Sequence, residues 1–161
     1  VMLTGIVWLD SVIAIVVGIF LSISGVKLVR SSFKNLMDEE DLELLSGLEE
    51  VISKLDVQGA IQVHHLKIIR SGWFHHIDAH IVLPEFWDVI RAHNFCDEFE
   101  NKLFKNYEYD GEANFHFDPC RKAYCKHCDL KDCPIRKEEF VKKLPVNIKD
   151  LTSFHEPTEF R

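Results

Sequence analysis

Residues 60–83, AIQVHHLKIIRSGWFHHIDAHIVL, decide how the rest of the chain must fold. The first part, residues 60–70, alternates and is rich in Val and Ile, which predicts a strand. Ser71-Gly72 supplies a tight turn, and residues 73–83 return as the second strand of a hairpin. Pro84 stops that strand and is expected to open a helix over residues 85–106. Within it Val89, Ala92, Cys96, Phe99 and Leu103 fall three and four apart, a core-facing stripe. Cys96 is read there as a small apolar core residue and not as a ligand. Residues 107–111 form a loop, and residues 112–118 read as a third strand. Upstream, residues 38–55 form an acidic amphipathic helix, with Asp38 as its cap and Leu42, Leu45, Leu48 and Ile52 on one stripe. Gly59 marks its end. The order αββαβ predicts a small α+β open sandwich with its helices on one face.

Two segments flank this unit. Residues 6–29, IVWLDSVIAIVVGIFLSISGVKLV, would reach about 36 Å as a helix, enough for a hydrocarbon core of about 30 Å. Lys27, Arg30 and Lys34 follow the run and no base precedes it. That order is the reverse of a signal peptide, and it directs everything after about residue 30 to the cytoplasm. Gly18, Gly25, Ser22 and Ser24 suit close packing against other membrane helices. Beyond residue 119 comes a cysteine-rich loop, then an expected short charged helix near residues 135–144, and a Pro-containing tail expected to be mobile. The expected organisation is therefore residues 1–30, a membrane helix; 31–59, a connecting amphipathic helix; 60–119, a metal-binding dimerisation domain; and 120–161, a Cys-rich tail. The chain begins with Val1, and the expectation is a piece of something longer.

The 161 residues carry a net charge of −7, which argues against a nucleic-acid partner, since phosphate binding needs clustered Lys and Arg. Nine histidines are many for this length, and their positions matter more than their number. His64 and His65 fall on the first strand, His75, His76 and His80 on the second, and His93 on the second helix. His116 and Asp118 are two apart on the last strand and so leave the same face, as do Asp78 and His80. Imidazole with carboxylate suits zinc and neighbouring divalent metals. Just beyond lies Cys120-x4-Cys125-x2-Cys128-x4-Cys133. Four thiolates suit a tetrahedral zinc site, and an iron–sulfur cluster remains an alternative. His127, inside the knuckle, is able to replace one thiol. Disulfides rank lower in a reducing compartment. No nucleophile motif, P-loop or dinucleotide fingerprint is present, so no catalytic residue is expected.

These phrases together resemble the cation diffusion facilitator (cation efflux) family, membrane proteins that export Zn²⁺ and similar ions in exchange for protons. The resemblance rests on Trp8-Leu9-Asp10, Leu36-Met37-Asp38, Val63-His64-His65-Leu66, Arg70-Ser71-Gly72, Asp78-Ala79-His80-Ile81, Arg91-Ala92-His93 and His116-Phe117-Asp118-Pro119. It covers roughly residues 6–120, the last membrane helix and the cytoplasmic domain, and it assigns the cysteines no role. It implies a metallochaperone-like domain that dimerises around a binuclear zinc site. The implied ligands are His64, His80, His93, His116 and Asp118, with His65 at a position often held by Asp. It also implies a cell (inner) membrane protein whose partners are divalent metal ions, lipid and a second copy of itself. The transport-site helices of the family are not in these residues. The function expected is that of the regulatory C-terminal portion of a zinc-type, proton-coupled efflux transporter. The alternative is a membrane-tethered metal sensor or redox module built on Cys120, Cys125, Cys128 and Cys133.

Overall fold

The structure is a computed structural model that describes residues 7–36, 41–156 and 160. The chain divides into two compact units, residues 1–39 and residues 40–161. The described part of the first is a single helix, α1 (Val7–Leu36), which continues past residue 29, where the apolar run ends. Its segment Trp8–Phe33 has a mean hydropathy of 2.5 and is long and apolar enough to cross a membrane. The Ser22 hydroxyl donates to the Gly18 carbonyl at 2.8 Å, so this polar group is satisfied within the helix.

The second unit contains α2 (Leu42–Lys54), β1 (Gln62–Ser71), β2 (Phe74–Leu83), α3 (Val89–Asn106), β3 (Asp110–Pro119) and α4 (Ile148–Thr152). Its sheet has the order β1-β2-β3, with β1 antiparallel and β3 parallel to β2. A parallel neighbour needs a crossover, and α3 supplies it. The predicted α+β order is the order found.

Three helical details differ from expectation. The cap of α2 is Asp41, whose carboxylate accepts from the Glu43 and Leu44 backbone N–H groups; Asp38 lies outside the described residues. With that start, Leu44, Leu45, Leu48 and Ile52 face inward and Leu42 is exposed. The second helix begins at Val89 and not at residue 85. Asp88 caps it by accepting from Arg91 N, and residues 85–87 turn between strand and helix. The core stripe of α3 is then Phe95, Phe99 and Leu103, with Val89 exposed and Cys96 half-buried at the rim.

The core lies between the helices and one face of the sheet. Leu45, Leu48 and Ile52 of α2 and Phe95, Phe99 and Leu103 of α3 meet Ile77, Ala79 and Ile81 of β2 and Ala113 of β3. The period of two along β2 therefore sends Asp78, His80 and Val82 to the opposite face. Gly72 turns the hairpin at φ +67°, and Gly59 holds φ +98° against the Trp87 ring.

The C-terminal segment is folded, contrary to the mobile tail and the 135–144 helix expected. A 3₁₀ turn, Lys122–Lys126, follows β3, and residues 135–147 are irregular. Prolines at 134 and 145 bracket that stretch, and Val141 N and Lys142 N both donate to the Lys126 carbonyl instead of to helical partners. The segment is held by burial. Tyr124, Leu130 and Phe160 form a second apolar cluster with Ile61 and Val82, and Leu151 of α4 joins the main core.

Candidate metal centre

Pairing register builds the site. His64 of β1 lies opposite His80 of β2, which lies opposite His116 of β3, on the sheet face turned away from α2 and α3. The next row on that face is Gln62, Val82 and Asp118. Asp118 thus projects beside the histidine row. Its carboxylate lies 3.0 Å from His80 Nδ1, 3.5 Å from His64 Nε2 and 3.5 Å from His116 Nε2. Among the described residues, His64, His80 and Asp118 each offer a ligand atom, all within 4.8 Å of one another.

His65 reaches the same group by a backbone irregularity. Neighbouring residues of a regular strand point to opposite faces. Here the register of β1 shifts between His64 and Lys67, and His65 takes φ +51°. A bulge of this kind re-aims a side chain, and a positive φ on a non-glycine residue costs conformational energy. The result is that both rings flank His80, with centroids 5.1 Å (His64) and 4.8 Å (His65) away. The bulge is braced by the C-terminal segment: His65 N donates to the Ser153 carbonyl at 3.0 Å, and its ring packs 4.3 Å from Phe154.

Protons hold this group together. His80 Nδ1–H donates to Asp118 Oδ2, and with His80 neutral its Nε2 accepts from His65 Nδ1–H at 3.2 Å. Burial holds the His64 imidazole below its ordinary value, with the Asp118 carboxylate pulling the other way. Burial and the adjacent His80 hold His65 down as well. Neutral imidazoles are what a metal requires. His64 Nδ1 and His65 Nε2 are buried with no hydrogen-bond partner among the described residues, a cost of about 1–3 kcal/mol each that a cation or water would offset. The donor set of nitrogens and one carboxylate suits zinc and its neighbours.

The sequence-predicted residues do not all converge. His64, His65, His80, His116 and Asp118 do. His93 lies on α3, against the other face of the sheet, exposed and 3.3 Å from Asp97. His76 pairs with Glu112 at 2.9 Å on the polar face, and His75 is fully buried on the core side against Tyr107. Cys120, Cys125, Cys128 and Cys133 are free thiols around one separate cavity of about 720 Å³. Burial raises the thiols of Cys120 and Cys128. Nothing among the described residues supports the iron–sulfur alternative.

Residues 41–120 match the family described as the cation efflux protein, cytoplasmic domain. The chain belongs to the cation efflux family. Among its curated relatives is an uncharacterized transporter of Synechocystis sp., 30% identical over 101 residues, a match covering 62% of this chain and 32% of that protein. Another is metal tolerance protein C1 of Arabidopsis thaliana, 26% identical over 155 residues, covering 92% of this chain and 32% of that protein. The chain thus spans about a third of the length of these relatives. A solved structure described as the zinc form of CzrB is similar over 48% of this chain and 81% of its own, with 30% identity and a TM-score of 0.37. As a member of the cation efflux family, the chain presents the cytoplasmic-domain fold with a His/Asp cluster on the sheet face turned away from α2 and α3.

Proposed function

We propose that this chain is the regulatory C-terminal part of a divalent-cation efflux transporter, with zinc the favoured ion and proton exchange the driving reaction. In this reading α1 crosses the cell membrane as a transporter helix, and the residues after about 30 lie in the cytoplasm, following the basic residues Lys27 and Arg30. The centre is His64, His80 and Asp118, with His116 and His65 adjoining. The observation that carries the reading is that these three ligand atoms already lie within 4.8 Å of one another on a half-open face.

Metal would replace the protons that now link His65, His80 and Asp118. It would also leave coordination positions free toward solvent, where a second copy of the domain is able to supply ligands. His93, exposed on α3, is available for such a partner and not for its own chain's centre. Drawing two domains together in this way biases the membrane part between its access states, provided the metal binds the paired form more tightly.

The test is zinc titration of the full chain in detergent, followed by calorimetry and by mass measurement. The proposal expects zinc to promote a dimer, and His80→Ala combined with Asp118→Ala to abolish both that binding event and the dimer it promotes. Unchanged zinc stoichiometry and dimerisation in the double variant would refute it.

A further inference from the structure

The cysteine segment has features that neither the histidine centre nor the family match uses. Residues 127–147 contain no helix or strand, yet Cys128 and Leu130 are buried to 7% exposure, and beside them Tyr124 of the 3₁₀ turn stacks on Phe160 at 4.4 Å. All four cysteines line the same cavity of about 720 Å³, together with Tyr124 and Arg136. They come from separate places. Cys120 leaves the end of β3, its N–H tied to the Leu83 carbonyl at 2.8 Å; Cys125 lies in the 3₁₀ turn; Cys128 and Cys133 lie in the following loop. Spacings of 4, 2 and 4 residues have brought four reduced thiols to one chamber.

The backbone around them is fixed in advance. The Arg136 guanidinium donates to the carbonyls of Cys125 and Cys128, both at 3.0 Å, and to those of Leu130 and Glu138. Lys137 N donates to Cys125 Sγ at 3.4 Å, which fixes the position of that sulfur. Arg136 also places a permanent positive charge beside a group that becomes dianionic on binding a divalent ion. An irregular loop, buried at Cys128 and Leu130 and exposed over residues 137–143, that converges four cysteines gains most from a metal staple, because coordination supplies the ordering energy that secondary structure does not.

We propose that Cys120, Cys125, Cys128 and Cys133 form a second metal site, a four-thiolate zinc centre independent of His64, His80 and Asp118, that locks the C-terminal segment against β1. Binding converts four thiols and Zn²⁺ into a tetrathiolate complex and releases four protons, with no change of oxidation state. Among the described residues only the His/Asp group already has three ligand atoms within 4.8 Å, so the proposed centre requires the thiols to close from the cavity walls on binding, by side-chain rotation. The locking has a route to β1. Tyr124, within the cysteine segment, donates from its hydroxyl to Gln62 Oε1 at 2.8 Å, and Gln62 occupies the row next to His64. The centre is structural: four protein ligands leave no position for a substrate.

The experiment uses the full chain in detergent under reducing conditions. Cobalt(II) is added as an optical probe, zinc is counted by mass spectrometry of the metal, and thiols are mapped by alkylation with and without zinc. Wild type should show thiolate-to-cobalt charge-transfer absorption. Zinc should protect Cys120, Cys125, Cys128 and Cys133 from alkylation, while Cys96, half-exposed on α3, reacts either way. The His80→Ala/Asp118→Ala variant should keep one zinc per chain and the charge-transfer band. Cys125→Ser/Cys133→Ser should lose that zinc and that band, and keep the metal bound at the histidines. The proposal is overturned if wild type shows no charge-transfer band, if zinc leaves the four alkylation rates unchanged, or if the purified protein carries iron with acid-labile sulfide. The wild-type measurements decide the matter even if the cysteine variant does not fold, and the two variants separate this site from the histidine centre.

Discussion

Asp118→Asn separates charge from shape at the histidine centre. Asparagine keeps the volume and one carbonyl oxygen of Asp118, and it removes the charge that faces His80 at 3.0 Å and His64 and His116 at 3.5 Å. The ligand atoms of His64, His80 and Asp118 lie within 4.8 Å of one another. A cation placed between three such atoms can sit within about 2.8 Å of all three, the circumradius of an equilateral triangle with that 4.8 Å side, and there a double charge and a carboxylate attract by about 3 kcal/mol even with the full screening of water. Aqueous screening is the appropriate lower bound because the Asp118 side chain is 23% exposed. Losing that attraction should weaken zinc binding by about two orders of magnitude. The assay is competition against a chromophoric chelator at neutral pH, in a chain that also carries Cys125→Ser and Cys133→Ser so that only the histidine centre is read. Unchanged affinity in Asp118→Asn would mean that the carboxylate is not a ligand and that the centre has been misassigned.

Three further outcomes follow from the same geometry. Burial lowers His64, His65 and His75 below the ordinary 6.5, so the unfolded chain takes up protons that the folded chain refuses. Stability present above pH about 6.5 should therefore fall as the pH drops through and below that value, and the urea midpoint should be lower at pH about 5.5 than at about 7.5. Tyr107, whose burial pushes its own hydroxyl up to about 12, bonds His75 Nδ1 at 2.9 Å, and His75 Nε2 is already without a partner among the described residues. Tyr107→Phe should cost about 1–3 kcal/mol by denaturant titration, because it strands a second buried nitrogen. Gly59→Ala should cost about 1–3 kcal/mol in the same assay, since a Cβ at φ +98° is strained and would collide with the Trp87 ring.

What was legible in the sequence was whatever depends on local periodicity. The alternation in β1 and β2 gave the hairpin, and the two-residue spacing of His116 and Asp118 put them on one face. The register that sets His64, His80 and His116 in one row is a long-range property. It depends on a bulge at His65 that no alternation rule produces, since a regular strand would have pointed His65 into the core. In α3 the spacing of three and four points to Cys96, whereas the buried residue is its neighbour Phe95. Pro84 predicts a helix start, whereas the Asp88 carboxylate caps the helix four residues later. The C-terminal segment was unreadable for a different reason. Its order comes from Tyr124, Leu130 and Phe160 packing on Ile61 and Val82, contacts distant in sequence that leave no periodic trace.

The most direct test of the histidine centre is anomalous diffraction at the zinc edge from crystals of the zinc-loaded chain. The account predicts a peak on the sheet face turned away from α2 and α3, bonded to His64, His80 and Asp118. Zinc at other residues, with these three still hydrogen-bonded to one another, would contradict it.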